Sequence, residues 1–181
     1  MDMTPEDILH FWFCECTPKH WWTKSADFDA LVRRRFQSVH AAANAGELWA
    51  WRASGRGRLA EVIILDQFSR NMYRDDPRAF ASDGLALMLA QEAIGLTVQR
   101  GWSADWKSFL YMPFMHSESW LMHEHALELF SEPGLEDNLK FEHAHKAIIE
   151  QFGRYPHRNE ILGRRSTPEE TEFLKQPGSS F

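Results

Sequence analysis

The ten residues Leu59-Ala60-Glu61-Val62-Ile63-Ile64-Leu65-Asp66-Gln67-Phe68 constrain this chain more than any other stretch. With successive residues about 100° apart on a helix, Leu59, Val62 and Ile63 share one face, while Ile64, Leu65 and Phe68 cover much of the other. The run Val62 to Leu65 alone is ambiguous between strand and helix, and its length and flanks assign it to helix. A helix that is apolar nearly all round must be enclosed, so the rest of the chain has to supply its neighbours.

Those neighbours read as helices too. Thr4-Pro5-Glu6-Asp7 places a capping hydroxyl before Pro and acids in a first turn, predicting a helix through Phe11-Trp12. Cys16 to Trp22 reads as a loop. Ser25 caps a helix whose apolar positions Phe28, Leu31, Val32, Phe36 and Val39 keep helical spacing until Gly46. A short helix through Leu48 to Trp51 follows, Gly55 and Gly57 interrupt, and the apolar helix starts at Arg58. Asp76-Pro77 opens a helix lasting until Gly95, and Trp102 to Met112 forms another that Pro113 ends or kinks. Helices are expected over 114–130 and 136–152, the second stopped by Gly153. Residues 154–165 look irregular, and Thr167-Pro168-Glu169-Glu170 is a capping-box start for a last short helix. No alternating period persists long enough for a strand. The fold class is all-α, built of antiparallel helix pairs, and 181 residues fit one helical domain over 1–181.

The formal net charge of −6 argues against a nucleic-acid partner, because phosphate neutralisation needs a basic face. No apolar run approaches the length that spans a bilayer, and no cationic leader precedes an apolar segment, so a cytoplasmic protein is expected. Cys14 and Cys16 lack a second pair, which excludes a zinc knuckle and a disulfide framework. The eight Trp residues, with Trp21-Trp22 and Trp49/Trp51 close in sequence, point to helix packing through large rings.

Functional signal lies in polar residues on apolar faces. Asp66 and Arg70, four apart, share the face of Leu59 and Ile63. They are either an ordinary i,i+4 pair at a surface or a buried pair lining a pocket, which desolvation makes costly without further bonds. In the helix over 136–152, Phe141, Ala144, Ile148 and Phe152 form the apolar arc with His145 inside it and His143 outside. In the helix over 114–130, Trp120, Met122, Ala126, Leu127 and Phe130 make the apolar side. His116 and His123 fall among them, Glu118 lies at the margin, and Glu124 and His125 face solvent. Each inward His is a satisfied core imidazole or a working group. After Gly153, a turn-rich loop carries Arg154, His157, Arg158 and Arg164. It either focuses positive potential on an anion or bonds helix carbonyls.

Leu65-Asp66-Gln67-Phe68-Ser69-Arg70-Asn71, Pro113-Phe114-Met115-His116-Ser117-Glu118 and Gly153-Arg154-Tyr155-Pro156-His157-Arg158-Asn159, with Leu162-Gly163-Arg164, carry a resemblance. In that order they resemble the bacterial domain of unknown function 924 family, from the Trp12-Phe13 region to Leu174. The resemblance implies a right-handed, tetratricopeptide-like array of helix pairs curving around a concave face, and it implies no reaction. The short signature of a tetratricopeptide repeat is itself absent. The family's motif positions here are Asp66, Arg70, Asn71, His116, Glu118, His145, Arg154, His157, Arg158, Asn159 and Arg164. This chain departs from the pattern at Ser69, where Pro is expected, and in the His-rich run Trp120 to His125. The second departure leaves His123 and His125 without an assigned role, as is His143.

Two functions follow. The first is a small-molecule enzyme or binding protein for an anionic ligand. Asp66, His116, Glu118, His145 and His157 would do acid–base work, and Arg70, Asn71, Arg154, Arg158, Asn159 and Arg164 would hold the ligand. The second is a scaffold that binds a peptide or protein on its concave face. Glu142 and His145 form one Glu-x-x-His pair, but di-metal bundles need that pair twice, so neither metal nor other cofactor is expected. The sequence does not decide the oligomeric state.

Overall fold

The structure, a computed structural model, describes residues 3–181. Among these residues every regular element is helical and no strand occurs. The chain divides into two compact units: unit 1 comprises residues 3–74 with Arg78–Pro113, and unit 2 comprises Asp75–Pro77 with Phe114–Phe181.

Unit 1 begins with α1 (Pro5–His10), held by a reciprocal cap in which Thr4 N–H donates to Asp7 Oδ2 at 2.8 Å and Asp7 N–H donates back to Thr4 Oγ1. A π turn, Phe11–Glu15, extends it. The stretch expected as a loop contains a short helix, α2 (Pro18–Trp22), because His20 Nδ1 accepts from Thr17 N–H and satisfies an end that lacks an acidic capping partner. Ser25 caps α3 (Ala26–Asn44) through Phe28 N–H, and Ser54 caps α4 (Gly55–Ile63) through Gly57 N–H.

Gly55 and Gly57 therefore open the apolar helix instead of preceding it. A Cβ on Gly57 would lie 2.0 Å from the Trp51 carbonyl oxygen, so the close approach of the preceding turn requires glycine. A second π turn, Ile64–Phe68, carries α4 into α5 (Ser69–Met72), and residues 59–69 are all buried. The rings of Phe11, Phe28 and Phe36 from α1's extension and α3 pack with Phe68 around this segment. Trp12 lies in the same aromatic cluster, whereas Trp22 and Trp49 are largely exposed, so only part of the expected Trp packing forms.

Asp76-Pro77 starts a 3₁₀ turn, not the long helix; α6 (Asp83–Gly95) begins after it. Arg58 meets Glu92 and Arg70 meets Asp83, which makes α4–α5 and α6 an antiparallel pair. α7 (Ala104–Met115) continues through Pro113 and ends two residues later, and its last two residues belong to unit 2. A proline in a last turn removes one helical bond and leaves little helix beyond it to disrupt.

In unit 2, residues 116–119 are not helical, so the single helix expected over 114–130 is two elements separated by a short link. Ser117 Oγ accepts from Ser119 N–H and turns the chain into α8 (Trp120–Phe130). α9 (Glu136–Phe152) ends at Gly153, whose φ of 68° is the left-handed cap that glycine adopts without strain. α8 and α9 are antiparallel, with His123 against Glu142 and Trp120 near Lys146 and Glu150. The buried side of α9 is Leu135, Glu142, His145, Ile148 and Ile149; Phe141 and Ala144, expected inside, face solvent. α10 (Pro168–Phe173) opens on the expected capping box of Thr167 and Glu170.

Candidate functional site

The first motif sits on the π turn and α5 of unit 1. Asp66 is enclosed: Gln67 Nε2 donates to its Oδ2 at 2.7 Å and Arg70 lies 3.2 Å from its Oδ1. Arg70 also bonds the Asp66 carbonyl and forks onto Asp83 at 2.8 and 3.0 Å. Asn71 donates to Asp29, which Arg74 grips through both oxygens. Ser69, standing where the resemblance leads one to expect Pro, donates to the Leu65 carbonyl and meets His40 Nε2 at 2.7 Å. Burial holds His40 below the usual imidazole range. Buried charges in this unit are matched by opposite charges, which limits their desolvation cost and fixes the π turn's shape.

The arginine loop of unit 2 is similarly engaged. Arg164 forks onto Glu118 at 2.7 and 2.8 Å, bonds the Tyr155 carbonyl, and donates through Nε to Asn159 Oδ1. Burial raises the Glu118 carboxyl, but the bonds from Arg164 and from Tyr155 N–H outweigh it, and Glu118 stays below its ordinary value. Arg154 forks onto Glu170 at 2.7 and 2.8 Å, and that bond is the main reason Glu170 is lowered to about 2. Asn159 Nδ2 reaches Ser166 and Glu170. Arg158 donates to the His116 carbonyl at 2.9 Å and lies over the Tyr155 ring. Arg154, Arg158 and Arg164 thus converge on one loop, with guanidinium donors directed at protein acceptors.

The histidines gather around Tyr155. Its hydroxyl donates to the Met115 carbonyl and lies 3.2 Å from His123 Nε2. His123 Nε2 is 2.8 Å from the Ser117 carbonyl, which assigns a proton to that nitrogen, and its Nδ1 is 2.6 Å from Glu142 Oε1. Neither His123 nor Glu142 is exposed at all. Burial pushes the Glu142 carboxyl up, opposed by its bond to His123, and Glu142 Oε2 is sealed without a hydrogen-bond partner. A neutral Glu142 donating to His123 Nδ1 is the form that leaves the least charge on that oxygen.

His145, one turn from Glu142 on α9, is 7% exposed. Its Nδ1 is 2.7 Å from the Phe141 carbonyl, so that nitrogen carries the proton and Nε2 bears the lone pair. Burial lowers its pKa to about 3, the Phe141 carbonyl works in the opposite direction, and His116, His123 and His157 lower it further. Nε2 has no hydrogen-bond partner among the described residues, and it is not one of the sealed polar atoms. The ring of Phe181 stacks on this imidazole at 3.7 Å and 19°. His157, on the 3₁₀ turn Pro156–Arg158, faces Tyr155 and Phe181.

Sequence-derived residues therefore fall into two groups. Asp66, Arg70 and Asn71 belong to unit 1; His116, Glu118, His145, Arg154, His157, Arg158, Asn159 and Arg164 belong to unit 2. Sequence reasoning missed Glu142 and His123 as a bonded pair, Tyr155 as their hub, and Phe181. The Glu142-x-x-His145 spacing was the available signal for the first. Among the described residues no group of three or more His, Cys, Asp or Glu is placed to hold a metal. A surface groove of about 610 Å³ lies in unit 1, bounded by Glu6, His10, Cys14, Arg35, Arg56 and Trp106. Its arginines are paired with Glu15 and Glu6 and it holds none of the motif residues, so it is a weaker candidate than the histidine cluster.

The family model for bacterial proteins of unknown function, domain of unknown function 924, matches residues 8–178. The chain belongs to this family. A solved structure of a protein of unknown function from Agrobacterium tumefaciens is 38% identical, with a TM-score of 0.90, covering 94% of this chain and 96% of that one. None of the curated proteins matches. Family membership thus supplies the helical fold and no reaction, and any chemistry has to be argued from the side chains.

Proposed function

We propose that this member of the family binds a small molecule in unit 2 and holds a donor group of it by a hydrogen bond to His145 Nε2. The observation that carries the reading is the fixed tautomer: Nδ1–H is held by the Phe141 carbonyl, and Nε2 is left as an acceptor with no protein partner. An imidazole that burial keeps neutral, its pKa lowered to about 3, is a weak base near neutral pH but presents a fixed lone pair to a donor on a bound molecule, which suits a group that binds and orients a ligand. The His123–Glu142 pair and Tyr155 support the reading as a bonded wall behind that imidazole, and the Glu118–Arg164 and Arg154–Glu170 forks hold the loop that positions Tyr155 and His157. The loop arginines favour fastening over anion capture, since a ligand phosphate would have to displace a carboxylate from each fork.

A second reading, a scaffold for a peptide, is favoured by Trp120, Leu121 and Phe141, each more than half exposed on α8 and α9. One experiment separates them. A panel of metabolites is titrated into ¹⁵N-histidine-labelled protein while the His145 ring nitrogens are followed. The enzyme or binding reading expects at least one compound that shifts Nε2 and loses its effect in His145→Asn. If no compound moves Nε2 and the substitution only lowers stability, the histidine is structural and the scaffold stands.

A further inference from the structure

Resting on that reading of His145, we infer that the Phe181 ring is a movable cover that switches this imidazole between two states. With the ring docked, His145 only accepts hydrogen bonds; with the ring swung out, it takes up a proton from solvent and releases a ligand held through Nε2. The two rings are stacked at 3.7 Å and 19°, so Phe181 shields one face of the imidazole. Tyr155 is perpendicular to both, and its centroid is nearer to His145, at 5.7 Å, than to Phe181, at 6.3 Å, which places it beside the imidazole's edge. The Phe141 carbonyl occupies Nδ1. The face under Phe181 is therefore separated from water by a ring that is itself 44% exposed. The lone pair of Nε2 lies in the imidazole plane, away from the stacked ring, so docking leaves it open to a donor.

The cover is placed to leave. The chain is fastened two residues before the ring, where buried Ser179 donates to the Leu174 carbonyl at 3.1 Å just after the left-handed turn at Gly178. The ring can swing out without unseating that anchor. Burial is the largest influence keeping the imidazole neutral, and His116, His123 and His157 also act against its protonation. Arg158 lies over the neighbouring Tyr155 ring, and Glu142, one turn earlier on α9, is engaged by His123. Water on the uncovered face would relieve the burial and leave these neighbours in place, so protonation becomes easier without becoming fully ordinary. A protonated Nε2 is a donor, and a ligand group held by its own N–H or O–H is then let go.

The test follows the His145 ring nitrogens from pH 5 to 8 in ¹⁵N-histidine-labelled full chain, as wild type, Phe181→Ala and Ser179→Ala. The wild type should keep the shifts of the neutral Nδ1–H tautomer across the range. Phe181→Ala should titrate, with a midpoint between about pH 5 and the usual 6.5. Ser179→Ala, which loosens the anchor and keeps the ring, should move the midpoint the same way by less, and it carries the test if Phe181→Ala does not fold. A His145 that stays neutral in both variants, or one that titrates in the wild type with the same midpoint, overturns the switch. If the switch appears while no compound shifts Nε2 at pH 7.5, the ligand reading falls and the switch stands. If a compound engages Nε2 while the variants leave the titration unchanged, the reading stands and the switch falls.

Discussion

Substituting His145 by Asn tests how completely the fold seals this imidazole. Asn can keep the donor to the Phe141 carbonyl while removing the titrating ring and its contacts with Phe181 and Tyr155. Two aromatic contacts at about 0.5–1.5 kcal/mol each predict a loss of about 1–3 kcal/mol at pH 7.5. The pH dependence is the sharper measure. The folded imidazole has its pKa depressed to about 3, against the usual 6.5, so between these values the unfolded chain binds one proton more than the folded one. Stability is therefore full above pH 6.5 and declines as the pH falls toward 3, at about 1.36 kcal/mol per unit. From pH 6.5 to 5 the wild type should lose about 2 kcal/mol that the Asn variant does not lose. His116, His123 and His157, which face His145, are present in both proteins and cancel to first order in the difference. Urea unfolding from pH 5 to 7.5 should show the two stabilities converging on acidification. A gap that stays constant within about 0.5 kcal/mol would mean that His145 takes up its proton without leaving the fold, and the sealed-base argument would fail.

Glu142→Leu should cost about 1–3 kcal/mol by stranding His123 Nδ1, whereas Glu142→Gln, which can still donate to that nitrogen, should cost well under half as much; chemical denaturation at pH 7 compares them. Gly57→Ala should destabilise by more than about 2 kcal/mol, because its Cβ would meet the Trp51 carbonyl, and a melting temperature within a degree of wild type would refute that close approach. Inorganic phosphate at millimolar concentration should leave the melting temperature unchanged, since Glu118 and Glu170 occupy the forks of Arg164 and Arg154; a rise of several degrees would reinstate an anion site.

Much of the fold was legible because its signals are local. Thr4, Ser25, Thr167 and Gly153 each mark a helix end through bonds spanning three or four residues, and each does so in the structure. The π turns at Phe11–Glu15 and Ile64–Phe68 were not legible, since a wheel drawn at 100° has no place for an extra residue. Asp66 and Arg70 were found as a pair, yet their partners Gln67 and Asp83 were not, because Asp83 comes from the start of another helix. On α9, counting apolar residues favoured the Phe141–Ala144 side. The buried side includes Glu142, whose enclosure depends on His123 nineteen residues earlier, and no periodicity encodes that bond. His145 was legible as inward from either arc. Phe181 was not, because a single ring beyond the last helix carries no pattern.

The forks of the arginine loop also set an order of events during synthesis. Glu118 waits for Arg164, 46 residues further along, and Arg154 waits for Glu170, so a nascent chain exposes the first carboxylate and the loop guanidiniums well before they can meet. With elongation at about 5–20 residues per second, that interval is several seconds, during which Tyr155 N–H and carbonyl have no Arg164-anchored frame to hold them. Unit 1 contains none of these late partners and can close its ion pairs on its own sequence. Ribosome-bound chains halted before residue 164 would then carry a finished first unit and an unfinished second one, and the histidine cluster would be the last part of the protein to take shape.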